Sequence, residues 1–261
     1  MPLLARRMPK GTILELPLAE GELLRWNHVF EPEYHQKIYV EACEEARASK
    51  GAFQLGDTKY VKAYPYRGVQ PRYVDDEADV DSLEYEGMIL PDGTQLDSDK
   101  GKRPICALKS VCVRAGFIDV GTARATSREF FEKRKAKAGV QKGDLLINST
   151  GDGTIGRAAV YNKAFPALVD GHITIVRFKQ EYMAWYVAAY LLSQKGQRQI
   201  YRYINGSSGQ VEIYPQDIAR LWIEPKSEAK MKIIAEKFQQ TCAKHEEFYT
   251  DLKRTLNMIS A

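Results

Sequence analysis

A glycine-rich segment, Gly151-Asp-Gly-Thr-Ile-Gly156, has the spacing that most directly suggests chemistry. The G-x-G-x-x-G pattern cradles a dinucleotide pyrophosphate when it follows a strand and opens a helix, and the apolar residues 145–147 do precede it. Residues 157–166, however, alternate in polarity and end in a proline, so they do not predict that helix. We therefore predict a β-hairpin that turns at Asp152-Gly153, and keep a nucleotide-binding enzyme only as the less favoured alternative.

The histidines and cysteines do not predict a metal site. No two histidines lie within five residues of each other, and no cysteines form a CxxC pair. We expect each histidine to be a capping, core or helix-seam residue, and each cysteine to be a reduced core thiol. These residues are His28, His35, His172, His245, Cys43, Cys106, Cys112 and Cys242.

The carboxylates and prolines do not supply a catalytic motif either. Asp97 and Asp99 precede Lys100, but no acid lies two residues before the lysine, as a nuclease arrangement needs. The segment Tyr64-Pro65-Tyr66-Arg67 lacks the Asn/Asp-Pro-Pro-aromatic order of an amino-methyltransferase. We therefore expect a non-catalytic protein, with no cofactor or metal of its own, whose chemistry resides in a partner.

Polar, basic and aromatic residues instead cluster in two predicted loop segments, 64–72 and 194–202, where they suit the grooves of DNA. Arg and Gln make bidentate contacts with guanine and adenine edges, while Lys and backbone amides anchor phosphates. An exposed polar surface is the other interpretation of such segments. The predicted DNA-binding residues are Tyr66, Arg67, Gln70, Arg72, Lys133, Arg134, Lys135, Thr150, Arg157, Lys195, Gln197, Arg198, Arg202, Ser208 and Gln210.

The charge is segregated along the chain. The net charge is only +4, yet residues 75–99 hold ten acids and no Lys or Arg. Residues 100–142 hold twelve Lys and Arg against three acids. Segregated positive charge favours a polyanionic partner, although charge runs are also typical of solvated faces.

The strands and helices predicted to position these residues indicate an α+β fold. Apolar alternation predicts a strand at 12–16, and helical spacing predicts a helix at 33–49. Residues 51–121 favour loop-rich β structure. The Ser/Thr cap and basic end of 126–137 predict a short helix. Further strands follow at 144–148, 155–161 and 172–178, with a helix at 182–195.

A single long helix is predicted from Ser227 to about Ile259, so we divide the chain into a recognition domain, 1–226, and a coupling helix, 227–261. Apolar residues fall on a and d heptad positions along it, interrupted by Thr241, His245 and Thr255. We expect this coiled-coil-type helix to pair with another helix, while packing against the parent domain stays open. The partner-facing residues are predicted to be Ile234, Phe238, Phe248, Leu252 and Ile259.

These pieces together resemble the specificity subunit of type I restriction-modification enzymes over most of the chain, most strongly over 143–259. The matching segments are Arg25-Trp-Asn-His-Val-Phe-Glu-Pro-Glu-Tyr34, Gly143-Asp-Leu-Leu-Ile147 with the Gly151 turn, Tyr190-Leu-Leu-Ser193, residues 197–200, Gly206-Ser-Ser-Gly-Gln210 and residues 213–225. The long helix departs from the family pattern, because Glu228-Ala229-Lys230 stands where a Glu-Gln pair is usual.

The resemblance implies a target-recognition domain that reads double-stranded DNA for a separate methyltransferase and, in systems that carry one, a restriction or translocase subunit. Family members commonly hold two such domains and two helices, so this chain resembles a half-subunit that would form a homodimer on a bipartite site. A cytoplasmic protein without a membrane contact is expected. A protein-interaction module of a defence system remains the main alternative.

Overall fold

The computed structural model describes residues 3–7, 13–17, 32–73, 105–206 and 211–260. Near the N-terminus, β1 (Leu3–Arg7) and β2 (Ile13–Pro17) pair antiparallel, with Leu3 opposite Pro17. The strand predicted at 12–16 is therefore present. The acidic residues 75–99 lie outside the described residues.

Two four-stranded sheets form the centre of the fold. Sheet A has the order β6-β5-β10-β7, and sheet B has the order β4-β11-β8-β9. Within sheet A, β5 and β10 are parallel and all other pairs are antiparallel; sheet B is wholly antiparallel. Their strands are β4 (Tyr66–Arg67), β5 (Ile105–Leu108), β6 (Arg124–Thr126), β7 (Gly139–Val140), β8 (Leu145–Asn148), β9 (Ala158–Val160), β10 (Ala167–Val169) and β11 (Ile173–Val176).

The two sheets pack face to face, which explains why their central strands are buried along their whole length. Leu146 of β8 and Ile175 of β11 point into the layer between the sheets, together with Leu108 of β5. Their neighbours Leu145 and Ile147 belong to the second core, on the opposite face of sheet B. A strand covered on both faces reads as a continuous apolar run, because alternate side chains enter two different cores.

The predicted short cationic helix is present as α2 (Arg128–Ala138), which packs on β7 and β10 of sheet A. Its cap is Ser127, whose hydroxyl accepts a hydrogen bond from the Phe130 amide at 3.2 Å. Such a cap stabilises a helix by about 1 kcal/mol, because it satisfies an amide that the first turn leaves unpaired.

Helices α1 (Lys37–Ala48), α3 (Glu181–Leu192) and α4 (Gln194–Arg202) belong to the other side of the molecule, where α3 packs on sheet B. The helix predicted at 182–195 is confirmed as α3, but α4 follows it directly in a segment that is predicted to be a loop. Ser193 separates the two helices, since its hydroxyl accepts from the Gly196 amide at 3.3 Å and so starts α4 in a new direction. Gly196 permits the sharp join, because a Cβ there would lie 2.2 Å from the Tyr190 carbonyl oxygen.

The glycine-rich segment forms the connection of the β8–β9 hairpin, as the sequence predicts. Leu145 pairs with Val160 and Ile147 with Ala158, so a strand follows the glycines. Gly151 and Gly153 take φ values of 92° and 75°. A dinucleotide site would need a helix at this point, so the nucleotide alternative loses its structural basis.

The chain ends in α5 (Pro215–Ala219), β12 (Trp222–Ile223) and α6 (Glu228–Ser260), with β12 paired to β3 (Phe53–Gln54). The predicted long helix is thus confirmed, and its 33 residues extend about 50 Å at about 1.5 Å per residue. Sheets and segregated helices of this kind confirm the α+β class. The division into domains 1–226 and 227–261 stays a prediction.

The first half of α6 packs against its own domain. Met231, Ala235 and Cys242 are buried, and the Phe238 ring meets Trp185 of α3 at 6.4 Å. The apolar a and d positions of the helix do not all face the protein's own domain. A strict seven-residue repeat rotates by about 20° per heptad on a straight helix, so positions that begin in the core reach solvent four heptads later. Phe248 and Ile259 are accordingly 65% and 80% exposed.

A buried ion pair fixes one end of sheet B. The Asp144 carboxylate accepts from Arg177 Nε and an Arg177 terminal nitrogen, both at 2.7 Å, and from the Gln141 amide at 2.8 Å. These hydrogen bonds and the charge of Asp144 raise the pKa of Arg177 against the opposing effect of burial. The Gly143-Asp144 pair noted in the sequence therefore has a structural role.

None of the helices in the described part of the chain combines the length and apolar character needed to cross a membrane.

Candidate nucleic-acid interface

Four connections converge at one end of the two sheets, and we call them the loop cluster: residues 66–73, 149–157, 170–172 and 211–214. The Gly68 amide donates to the Ile173 carbonyl at 3.1 Å, and the Ser149 amide donates to the His172 carbonyl at 2.8 Å. The Ile213 amide donates to the Ser149 carbonyl at 2.9 Å. Loops held to one another through their backbones can present side chains at fixed positions.

Gly68 allows the closest of these approaches. A Cβ at this position would lie 2.2 Å from the Val169 carbonyl oxygen and 2.4 Å from that of Asp170. Neither carbonyl is on a flexible side chain, so neither can move aside cheaply. The segment 66–73 can therefore cross the β10–β11 connection only because it carries glycine here.

Arg67 ties the cluster together from inside rather than extending from it. Its guanidinium forms an ion pair with Glu212 and donates to the Ile213 carbonyl at 2.9 Å, and it stacks on the Tyr214 ring at 5.3 Å. Burial acts to raise the pKa of Glu212, but hydrogen bonds from Arg67 and Tyr214 and the Arg67 charge lower it overall. Arg67 is predicted from sequence to contact DNA, yet its terminal nitrogens are engaged within the chain. Tyr66 is half-buried beside it in β4.

Next along the same segment, the cluster presents a cationic edge. Arg124 stacks on the Tyr73 ring at 3.9 Å, and the Lys109 ammonium lies 5.8 Å from the same ring. The Tyr73 phenol also hydrogen-bonds the Gln70 side chain, while burial raises its pKa. The Arg72 side chain is exposed, and it makes no ion pair with any residue that the structure describes. Of the residues predicted here, Gln70 and Arg72 thus reach the surface.

The glycine-rich hairpin forms the opposite edge of the cluster. Thr150 hydrogen-bonds the His172 ring through Nδ1 at 2.8 Å. Arg157 donates to the Gly153 carbonyl at 2.8 Å and so braces the turn. Gly153 itself faces open space, since a Cβ at this position would meet no described atom within 4 Å. An open glycine turn allows another backbone to approach closely.

The predicted segment 194–202 is a packed helix rather than a loop. Gln197 donates to the Gly156 carbonyl at 3.1 Å and to the Leu191 carbonyl at 2.8 Å. Lys195 pairs with Glu224 and Glu45. Arg202 donates to the Tyr34 carbonyl at 3.2 Å and stacks on the Tyr34 ring. Arg198 is half-buried on the same helix. Helix α4 packs against α1 and α3, and these side chains help to hold it there.

The three cations predicted on α2 are exposed but lie on a different element from the cluster. Lys133 pairs with Glu129, Lys135 pairs with Glu132, and Arg134 stacks near Phe130. Exposed i,i+3 and i,i+4 pairs are weak, so these cations can exchange partners at little cost. Ser208 and Gln210 lie outside the described residues.

The residues predicted for a helix partner divide into two groups. Ile234 and Phe238 are partly buried against the protein's own core, which corrects their assignment to a partner-facing seam. Phe248, Leu252 and Ile259 are exposed, and Leu256 extends their stripe. Lys253 and Tyr249, on the adjoining face of the helix, contact Asp119 and Phe117. The second half of α6 thus has one face occupied and one apolar face open.

Sequence reasoning missed several residues of the cluster. His172 is expected there as a capping, core or seam residue, but it is exposed on the β10–β11 connection. Lys109, Arg124 and Glu212 also join the cluster, from segments distant in sequence. Only the turn residues Asp170-Gly171 before His172 could have signalled it. Within the described ranges, no three His, Cys, Asp or Glu residues stand close enough to hold a metal ion.

Comparison with known proteins gives a likeness of fold. The sequence matches no protein-family model and no curated protein. The fold is similar to part of the type IIG restriction endonuclease BpuSI, with a TM-score of 0.51 and 13% identity, over 89% of this chain and 31% of that one. A chain from a type I restriction-modification system is matched at a TM-score of 0.42 and 13% identity, over 95% of this chain and 59% of that one. The chain therefore shares its fold with a part, about a third, of a restriction endonuclease.

Proposed function

We propose that this chain is a sequence-specific DNA-binding specificity subunit of a restriction-modification system, which directs a separate methyltransferase to its site. The loop cluster is the DNA-binding surface, and the apolar face of α6 is the coupling surface. The chain itself carries out no chemistry. The observation that carries the proposal is the loop cluster, in which side chains suited to DNA stand on backbones locked to two packed sheets. The fold shared with part of a restriction endonuclease supports it.

The cluster has the two kinds of group that DNA recognition needs. Gln70 and Arg72 can address base edges, since Gln suits adenine and Arg suits guanine. Lys109, Arg124 and the glycine turn can address phosphates, which fix the register of a protein on the duplex. Because the supporting loops are joined by backbone hydrogen bonds, binding DNA would order few further groups and would cost little conformational entropy.

The assignment of individual residues follows from what each is already bonded to. Gln70, Arg72 and Thr150 are assigned to the proposed interface, with Arg67 and Arg157 as residues that position the loops. Lys133, Arg134 and Lys135 are proposed as additional phosphate contacts on α2. The side chains of α4 are given a supporting role, because Gln197 fastens the glycine turn from behind at Gly156.

The C-terminal half of α6 is proposed to bind a helix of a second copy or of the methyltransferase. Phe248, Leu252, Leu256 and Ile259 recur at three- and four-residue intervals on the open face. Such spacing is that of a helix packed into an apolar groove or coiled coil. Two copies joined in this way would place two loop clusters on the two halves of a bipartite site.

DNA binding is tested with the purified chain and a random-sequence duplex, by fluorescence anisotropy at about 50 mM and about 200 mM salt. We expect the affinity to fall as salt rises, because phosphate binding releases counterions. On a duplex enriched by the wild-type chain from a random-sequence pool, Arg72→Ala should weaken binding about tenfold, as expected for loss of one arginine contact with a base. The matched control is Arg47→Ala on α1, an exposed arginine paired only with Glu44 on its own helix among the described residues.

Equal affinities for the Arg72 and Arg47 variants would remove the loop cluster as the interface. Selection of bound duplexes from the same random pool should enrich a gapped motif. If the wild-type chain shows no salt-dependent binding while the chain still captures a helical partner, the alternative of a protein-interaction module is correct. The open apolar face of α6 is the observation that favours that alternative.

A further inference from the structure

His172 lies at the rim of the loop cluster on a rigid backbone. Its amide donates to Asp170 Oδ1 at 2.9 Å, and the Asp170 amide donates to the Leu108 carbonyl at 3.0 Å. Asp170 is only 2% exposed, so this turn is anchored in the interior of the fold. The His172 carbonyl accepts from the Ser149 amide of the neighbouring hairpin. The exposed imidazole is therefore attached to one of the firmest points of the cluster.

The ring is also oriented. The Thr150 hydroxyl and His172 Nδ1 are 2.8 Å apart. Thr150 is itself held, because it forms a β-bridge with Glu212. With Nδ1 engaged, Nε2 is the ring nitrogen left for a partner outside the chain, since no residue in the described part of the molecule bonds to it. When Nδ1 accepts from Thr150, the proton is on Nε2, which then acts as a donor.

The charged groups around the imidazole are themselves engaged within the protein. Asp170 lies beneath it, with its carboxylate bonded to backbone amides and Lys109 nearby. Glu212 lies beside it and is paired with Arg67. Neither carboxylate is therefore free to cover the outer edge of the ring. An imidazolium at this rim would meet an anion directly.

We propose that His172 binds a backbone phosphate of DNA through Nε2, and that Thr150 positions the ring for this contact. The inference rests on the proposed function and adds a residue and a pH dependence to it. DNA affinity should rise as the pH falls from about 8 to about 6, the range in which imidazoles gain a proton. The contact carries no base information, so a duplex of any sequence reports it.

The experiment measures the affinity of a random-sequence duplex at about pH 6, 7 and 8 for the wild type and for variants at His172 and Thr150. His172→Gln retains a donor but cannot gain a charge, and His172→Ala removes both. Thr150→Val removes the hydroxyl at nearly constant shape, and Thr150→Ser restores it. His245→Gln is the matched control, because it removes an exposed imidazole from α6. Circular dichroism at each pH confirms that the variants are folded.

We expect His172→Gln to lose about tenfold in affinity at about pH 6 and little at about pH 8, as for loss of one charge-assisted hydrogen bond. Its salt slope at the lower pH should fall by about one unit. Thr150→Val should weaken binding at that pH, with rescue by Thr150→Ser. Wild-type binding with an unchanged pH profile in His172→Gln would overturn this inference and leave the proposed function standing. Absence of wild-type binding at every pH would overturn both.

Discussion

At the scale of single residues, the geometry of the loop cluster depends on two glycines, Gly68 and Gly153. Gly68 passes within contact distance of the Val169 and Asp170 carbonyls, while Gly153 faces solvent. The two glycines thus serve different purposes. Gly68 is required by the space inside the fold, and Gly153 by a φ of 75° that side chains rarely adopt.

This difference predicts unequal effects of the same substitution. Gly68→Ala should destabilise the protein by roughly 3 kcal/mol or more, because overpacking against backbone atoms forces them apart. Gly153→Ala should cost only about 1 kcal/mol, from the strained left-handed backbone. Urea unfolding monitored by circular dichroism measures both. Similar free energies of unfolding for the two variants would mean that the 66–73 segment does not cross β10–β11 this closely.

At the scale of elements, α6 consists of two segments with different surroundings in one continuous helix. Its first half supplies Met231, Ala235 and Phe238 to the protein's own core. Its second half is held by polar and aromatic contacts, such as Lys253 with Asp119 at 2.9 Å, and leaves Phe248 and Leu252 open. The same helix can therefore support the fold and offer a surface to a partner.

Two phenylalanines of α6, one in each half, test this division. Phe248→Asp should leave the free energy of unfolding of the isolated chain unchanged within about 0.5 kcal/mol, since surface substitutions rarely do more, but should abolish assembly. Phe238→Asp should destabilise the fold by about 3 kcal/mol, because a charge replaces a ring packed on Trp185. Light scattering reports assembly and thermal unfolding reports stability. A Phe248→Asp chain that assembles with a second copy or with a methyltransferase as the wild type does would exclude this face as the proposed coupling surface.

At the scale of the whole molecule, ion pairs join segments that are distant in sequence. Arg67 and Glu212 connect the edge strand of sheet B to the segment before α5, and Asp144 and Arg177 close the other end of the sheet. Because the pKa of Glu212 is lowered in the folded protein, its pairing contributes stability above the ordinary range of a carboxylate. That contribution is lost as the pH falls through the lowered pKa.

The sign of this linkage gives a prediction for acid unfolding. Glu212→Gln should be less stable than the wild type at neutral pH, and the difference should shrink as the pH falls below the ordinary range of glutamate. Urea unfolding at a series of pH values from about 7 to about 3 measures it. Glu129→Gln is the control: the pKa of Glu129 is also lowered by Lys133, but the pair is fully exposed, so solvent screens it and the variant should change the stability little at any pH. A difference in free energy of unfolding between wild type and Glu212→Gln that stays constant at all pH values would show that the charge of Glu212 does not contribute the stability assigned to it.

The sequence by itself determined the local structure and the class of the fold. Alternation and turn residues located the β8–β9 hairpin, and the helical period located α6 almost to the residue, because these signals depend on neighbours within a few positions. The same local logic correctly predicted a strand instead of a helix after Gly156. It failed after Ser193, where a second helix, capped by the Ser193 hydroxyl, follows in a segment that is predicted as a loop.

Only the tertiary structure decided which polar residues face outward together. Arg67 and Gln197 share the composition of DNA-contacting residues, yet their partners Glu212 and Gly156 are far away in sequence and hold them within the fold. His172 reaches the surface because its turn is anchored at Asp170. The sequence also did not determine which way the apolar stripe of α6 faces, since this depends on where the straight helix leaves the domain. Such outcomes follow from long-range pairing, which local sequence patterns do not encode.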